Sequence, residues 1–252
     1  MTTARLPFDV KICGVTRGED LRALVAAKVP AIGLNFYPRS RRYLGEPQAS
    51  EIRKTLRELP RRPVLVGVFV NAEPSEIRDA VTRFDLDWVQ LHGQEPPEFG
   101  RALPGLRVLR ALPYGEGGLA EVIRFLEAME AAGCLPDAVL LDAQEAGAFG
   151  GTGQTLPWQR LADDLAAQGG CRSGRIAMPR RIQGADAAPG DATPGLPWVL
   201  AGGLHAANVA EAIGALHPQA VDVASGVESE PGRKDAEKTR QFLAAARSVS
   251  SR

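Results

Sequence analysis

The sequence predicts a single-domain α/β protein of the (β/α)8, TIM-barrel class, and three observations predict it. Eight short runs rich in β-branched and other apolar residues recur along 252 residues, a length typical of such a barrel. Stretches with helical periodicity or helix-starting prolines separate them. No Gly-x-Gly-x-x-Gly turn follows the first run, as an open, doubly wound dinucleotide-binding sheet would favour.

The runs, taken in order, span residues 9–12, 31–35, 64–70, 88–91, 107–111, 138–141, 198–200 and 220–223. Each is expected to lead into a helix, for example at 47–59, 74–83, 119–132, 157–167, 206–216 and 235–248. Pro47, Pro74, Pro96 and Pro157 lie near helix starts, where a missing N–H does little harm. One gap is too long. Between the sixth and seventh runs lies the segment 169–196, with six glycines, three prolines and four arginines (Arg172, Arg175, Arg180, Arg181) but almost no apolar periodicity. It reads as a disordered insertion at the N-terminal, non-catalytic face, with a partner-docking segment as the alternative.

Composition narrows the function classes. Thirty basic residues balance thirty acidic ones, so neither a nucleic-acid surface nor an electrostatic membrane anchor is expected. No apolar stretch approaches the roughly 18 residues of a membrane helix, and residues 1–10 carry no secretory h-region. Cytoplasmic location is the expectation. Cys13, Cys134 and Cys171 are too scattered for a disulfide framework or a Cys-x-x-Cys metal site, and His92, His205 and His217 show no ligand spacing. No metal is expected.

Strand parity locates the chemistry. In Val10-Lys11-Ile12-Cys13 the apolar pair faces the helices, which turns Lys11 and Cys13 into the lumen. The same alternation sends Gln90 and His92 inward together. Asp142 ends an otherwise apolar strand, and Asp222 is flanked by valines that point the other way. Each taken singly has a plain structural reading: a small buried thiol, a loop cap, an internal ion pair of Lys11 with Asp222, a mutually satisfied Gln90 and His92. Their coincidence at the C-terminal ends of the strands, where barrel enzymes place their catalytic groups, needs a common reason. Glycine loops supply a second indication. Gly202-Gly203 follows the seventh strand and Ser225-Gly226 the eighth, the usual barrel site for a phosphate. Gly150-Gly151-Thr152-Gly153 after the sixth strand reads as a plain loop, with a flexible lid or an additional backbone donor to a ligand as the alternative.

Further segments complete the pattern: Gly33-Leu34-Asn35-Phe36-Tyr37-Pro38 with Ser40-Arg41-Arg42-Tyr43, Val66-Gly67-Val68-Phe69-Val70-Asn71, Val89-Gln90-Leu91-His92-Gly93, and Ser225-Gly226-Val227-Glu228. With the Lys-Ile-Cys-Gly opening at 11–14, the chain resembles the phosphoribosylanthranilate isomerase (TrpF) family from about residue 8 to 240, excluding the insertion at 169–196. The resemblance implies an Amadori rearrangement of N-(5-phosphoribosyl)anthranilate in tryptophan biosynthesis, with Asp142 as general acid and Cys13 as general base. It places Arg42 on the anthranilate carboxylate and Gly202, Gly203, Ser225 and Gly226 around the phosphate. Gln90, His92 and Asp222 line the substrate site. It implies no cofactor, because the substrate's nitrogen serves as electron sink, and a small phosphorylated substrate as the partner of a monomer or weak homodimer. Ala201 departs from the family's common Ser before Gly-Gly-Leu, removing one hydroxyl contact.

The chemistry sets requirements. A free Asp holds a proton in about one molecule per thousand at pH 7, so a usable acid needs an apolar or anionic setting. A free thiol is only a few per cent thiolate at neutrality, and Lys11 is the expected helper. A histidine-pathway aldose–ketose isomerase is the nearest enzyme alternative, but it uses a carboxylate where Cys13 stands. A non-catalytic sugar-phosphate-binding barrel would need neither Cys13 nor Asp142.

Overall fold

The computed structural model describes residues 5–142, 158–167, 175–176 and 195–250. Parallel strands β1 (Val10–Cys13), β2 (Ala31–Asn35), β3 (Val64–Phe69), β4 (Trp88–Leu91), β5 (Val108–Pro113) and β6 (Ala138–Asp142) pair successively. β8 (Leu196–Leu200) joins β6 to β9 (Ala220–Val223), and β9 pairs with β1, so the sheet closes. The expected barrel is present, with all eight strands within two residues of their sequence assignments. Helices α1 (Gly18–Ala26), α2 (Glu46–Glu58), α3 (Pro74–Phe84), α4 (Gly118–Ala131), α5 (Trp158–Ala167), α6 (Val209–Leu216) and α7 (Ala236–Ser250) surround it.

Two expectations about helices need correction. After β4 there is only a 3-10 turn, Pro97–Ala102, in place of an α-helix. Pro96 and Pro97 remove two backbone donors at its start, and Gly100 disfavours any helical continuation. The helix expected at 206–216 begins instead at Val209, because Asn208 holds the preceding loop: its Oδ1 accepts from the His205 N–H at 2.8 Å, and its Nδ2 donates to the Gly203 carbonyl at 3.0 Å. Within the segment 169–196, Arg175–Ile176 forms β7, antiparallel to the first residues of β8, with Ile176 fully buried. The other residues up to 194 lie outside those described.

Strand alternation divides the core in two. Val10, Ile12, Ile32, Leu65, Leu91, Leu141, Trp198 and Val221 pack outward against the helices. Ala31, Val66, Trp88, Leu109, Ala111, Leu140, Val199 and Ala220 fill the lumen. The N-terminal segment floors the barrel: Leu6 and Phe8 are buried in the lumen cluster, with Phe8 edge-on to Trp88 at 6.3 Å between ring centroids. That apolar floor confines polar side chains to the upper end of the lumen. Phe8→Ala should therefore destabilise the protein by about 3–5 kcal/mol, the usual cost of truncating a buried aromatic. Urea unfolding of wild type and variant measures it, and a change below about 1 kcal/mol would mean the floor is not sealed by this ring.

Candidate active site

Four strands deliver side chains to the upper lumen. On β1, Lys11 is fully buried and its Nζ lies 2.7 Å from Oδ1 of Asp222, the residue opposite it on β9. Burial works to lower the Lys11 pKa, but Asp222 and the Cys13 sulfur outweigh it and the net displacement is upward. The ammonium stays charged. Cys13 stands one alternation higher, against Gly33 of β2, where a Cβ would come within 2.7 Å of its Sγ. The glycine makes the room the thiol occupies.

The thiol's surroundings act on it in two directions. Burial pushes its pKa above the ordinary value, Lys11 and Lys234 pull it back, and Asp222 pushes with burial. Lys11 does act in the expected direction, but the carboxylate it is paired with offsets part of its effect.

Across the lumen, Gln90 and His92 of the β4 end meet Asp142 of β6. The Gln90 amide nitrogen lies 2.9 Å from His92 Nδ1, and His92 Nε2 lies 3.2 Å from Asp142 Oδ2. An amide N–H donating to Nδ1 leaves the ring proton on Nε2, aimed at the carboxylate. Gln90 thus fixes the imidazole's tautomer and His92 fixes the carboxyl's orientation. The Gln90 Oε1 is buried with no hydrogen-bond partner among the described residues. Beneath this row lies an ion pair that the sequence reading missed. Arg110 points outward from β5 and donates to Glu95 and to the Gly93 carbonyl at 3.1 Å, while Glu95 accepts from the N–H groups of Asn71 and Gly93. It clamps the loop that follows His92. An arginine inside an apolar strand was the available signal.

Arg42 reaches the site from the loop after β2. Ser40 Oγ accepts from the Arg42 N–H at 3.1 Å and from Asn35 Nδ2 at 3.2 Å, tying that loop to the strand end. The Arg42 stem lies over Gly14, whose φ of +75° and lack of a Cβ are both required, since a Cβ would fall 2.3 Å from Arg42 Cδ. The guanidinium is not idle. Its Nε and Nη2 donate to the two carboxylate oxygens of Glu228 at 2.8 and 2.6 Å. Glu228 opens a short hairpin, β10 (Glu228–Glu230) and β11 (Arg233–Lys234), turned at Pro231-Gly232. From the hairpin's end Lys234 places its Nζ 2.7 Å from Glu228 Oε1. Arg42 and Lys234 together hold the Glu228 carboxyl below the usual range against the opposing effect of burial. Burial draws the Lys234 ammonium below that of an ordinary lysine, with Glu228 opposing. Neither Glu228 as an arginine partner nor Lys234 was singled out from sequence; the Pro-Gly turn between charged residues was the available hint.

The two glycine loops meet. Gly202 and Gly203 have φ of +97° and +62°. A Cβ on Gly226 would sit 1.9 Å from the Leu204 carbonyl oxygen, so the loops after β8 and β9 are packed backbone to backbone. Ser225 begins a single 3-10 turn. The segment 150–153 lies outside the described residues. Among the described helices, none is long and apolar enough to cross a membrane.

Known proteins match this chain over nearly its whole length. The family model described as N-(5'-phosphoribosyl)anthranilate (PRA) isomerase matches residues 10–178 and 181–245. The N-(5'-phosphoribosyl)anthranilate isomerase of Myxococcus xanthus is 40% identical over 245 residues, covering 95% of this chain and 96% of that protein. The enzyme of that name from Acidithiobacillus ferrooxidans is 39% identical over 244 residues, covering 94% and 97%. Among solved structures, phosphoribosyl anthranilate isomerase from Thermotoga maritima aligns with a TM-score of 0.72 at 32% identity, covering 96% of this chain and 99% of that one. A complex of such an isomerase with reduced 1-(o-carboxyphenylamino)-1-deoxyribulose 5-phosphate aligns with a TM-score of 0.69 at 31% identity and the same coverage. A thiol on the first strand, an imidazole-bound carboxyl on the sixth and paired glycine loops on the last two thus sit in a chain matched almost end to end: this protein belongs to the N-(5'-phosphoribosyl)anthranilate isomerase family.

Proposed function

We propose that this chain converts N-(5-phosphoribosyl)anthranilate to 1-(2-carboxyphenylamino)-1-deoxyribulose 5-phosphate, with Asp142 as general acid and Cys13 as general base. It is an isomerase of the aldose–ketose type, serving tryptophan biosynthesis. The observation that carries the reading is strand alternation: it turns Cys13 and Asp142 inward at the C-terminal ends of β1 and β6 of one apolar barrel, each beside its own polar partners.

The steps follow from the groups. Asp142, at the end of an apolar strand and oriented by His92, gives its proton to the ribose ring oxygen. The C1–O bond breaks and the anilino nitrogen lone pair forms the C1=N iminium. The iminium acidifies the C2 hydrogen, which the Cys13 thiolate removes. The C2–H electrons become a C1=C2 bond, and the iminium electrons return to nitrogen. The resulting enolamine loses its C2 hydroxyl proton and gains one at C1, giving the ketone. Asp222 keeps Lys11 charged beneath the sulfur. The Gln90 Oε1, without a partner among the described residues, is an acceptor for a substrate hydroxyl. Gly202, Gly203, Ser225 and Gly226 take the phosphate through backbone donors that the two packed loops hold in place.

Arg42 takes the anthranilate carboxylate on the guanidinium edge that Glu228 leaves free. Binding is therefore through the Nη1 side, with Glu228 holding the other. Arg42→Ala should raise KM roughly 10–150-fold, corresponding to about 1.5–3 kcal/mol for a charge-assisted hydrogen bond, and change kcat only a few-fold. Initial-rate kinetics separates the two. An unchanged KM would place the carboxylate elsewhere. A free phosphorylated substrate and product suit a cytoplasmic enzyme acting as a monomer or weak homodimer. The test of the whole reading is direct: purified protein, without added metal or nucleotide, should extinguish the fluorescence of phosphoribosylanthranilate catalytically. A protein that leaves it unchanged would refute the assignment.

A further inference from the structure

The Lys234 side chain does more than neutralise Glu228. It is almost fully buried, and its ammonium has three partners from three different elements: the Cys13 carbonyl at 2.6 Å, the Ala224 carbonyl at 3.3 Å and Glu228 Oε1 at 2.7 Å. The first ends the strand that bears the thiol. The second immediately precedes Ser225-Gly226. The third is the carboxylate that grips Arg42. An ammonium has three N–H donors, so this set uses them all. Its backbone N–H is anchored too, donating to Asp20 Oδ2 of α1 at 3.0 Å.

We propose that Lys234 is a positioning residue for the isomerisation: its ammonium joins the strand end carrying Cys13, the start of the phosphate loop and the Glu228–Arg42 pair, so that base, phosphate and carboxylate sites are set as one unit. This rests on the acid–base reading given above for Cys13 and Arg42. The charges around the sulfur support it. Lys11 and Asp222 cancel as a pair, whereas Glu228 faces two cations, Arg42 and Lys234. Around the sulfur, Lys11 and Lys234 stand with Asp222 and Glu228, with Arg42 on the far side of Glu228 and Asp20 on the Lys234 backbone N–H. Lys234 is one of the two cations that draw the Cys13 thiol toward ionisation.

A lysine that merely holds a hairpin in place would not set the ionisation of a thiol on another strand, and that difference is measurable. Lys234→Met keeps the stem and removes the charge; Lys234→Gln keeps a donor for one of the carbonyls and serves if the first variant fails to fold. Arg240→Met, which removes an exposed charge from α7, is the control. Two quantities are read on the full-length protein: kcat and KM for phosphoribosylanthranilate, and the pH dependence of Cys13 alkylation by iodoacetamide, followed on the Cys13 peptide by mass spectrometry. Expected is a fall in kcat of about 30-fold or more, a rise in KM of several-fold, and an upward shift of the alkylation midpoint by one pH unit or more, with the control unchanged. A normal alkylation midpoint alongside reduced turnover would mark Lys234 as purely structural and overturn the proposal, as would wild-type kinetics in the variant or failure of both variants to fold. The alkylation readout needs no turnover. Inactive wild type would thus refute the isomerase reading while the shift in the midpoint still decides whether Lys234 governs the thiol.

Discussion

Asp142→Asn lowers kcat by roughly 10²–10⁴-fold, the span attributed to one general acid or base. The amide has almost the carboxyl's shape and still presents an oxygen to His92 Nε2–H, so the strand end and the imidazole keep their places. What disappears is the proton. Ring opening then depends on water delivering it into a site floored by packed apolar side chains, and the first step becomes limiting. With substrate deuterated at C2, the isotope effect on kcat should fall toward unity in this variant, because C–H cleavage no longer limits the rate. Stopped-flow or initial-rate fluorescence with labelled and unlabelled substrate tests both statements. Full activity would show that the ring oxygen receives its proton from another group.

Cys13→Ser should cost about as much, 10²–10⁴-fold in kcat, for a different reason. A serine hydroxyl is far less acidic than a thiol, and the buried surroundings that push the thiol up act on any anion formed there. Lys11 and Lys234, each also paired with a carboxylate, favour an anion here but do not make up for the weaker acidity of a hydroxyl. Ring opening by Asp142 is untouched, so removal of the C2 proton becomes the slow step. The deuterium isotope effect should therefore grow where that of Asp142→Asn shrinks. Opposite movements of one observable in two variants of similar activity assign the two proton transfers to two residues. Isotope effects that move together would mean that both substitutions disturb the same step.

The barrel and its inward-facing polar groups were legible in the sequence because strand parity is a local property. Val10-Lys11-Ile12-Cys13 states which side chains enter the lumen without any knowledge of the partner strands, and Gln90 with His92 follows the same rule. The pairing of Lys11 with Asp222 could be anticipated because both point inward at ends of strands that neighbour each other once the barrel closes. The Arg42–Glu228 contact was not legible: the residues lie 186 positions apart, on a loop and a hairpin whose relative placement no periodicity encodes. Lys234 reads as an ordinary charge after a Pro-Gly turn until the hairpin folds over β1. The floor formed by Leu6 and Phe8 escaped for a similar reason, since two apolar residues before a strand carry no periodic signal. The missing helix after β4 was foreshadowed by Pro96-Pro97, which the regular alternation of strands and helices obscured. Lys11 acts on the thiol in the direction expected, but the desolvation that opposes it was not legible, since it depends on how deeply the sulfur is packed, a quantity set by the whole fold.

The decisive measurement is a crystal structure of this protein with reduced 1-(o-carboxyphenylamino)-1-deoxyribulose 5-phosphate bound. The Cys13 Sγ should lie in contact with ligand C2, and the Asp142 carboxyl should hydrogen-bond the 4-hydroxyl, the atom that was the ring oxygen of the substrate. Arg42 should meet the aromatic carboxylate on its Nη1 side with Glu228 still in place. A ligand whose C2 faces away from the sulfur, or whose 4-hydroxyl lies beyond reach of Asp142, would contradict the assignment of acid and base.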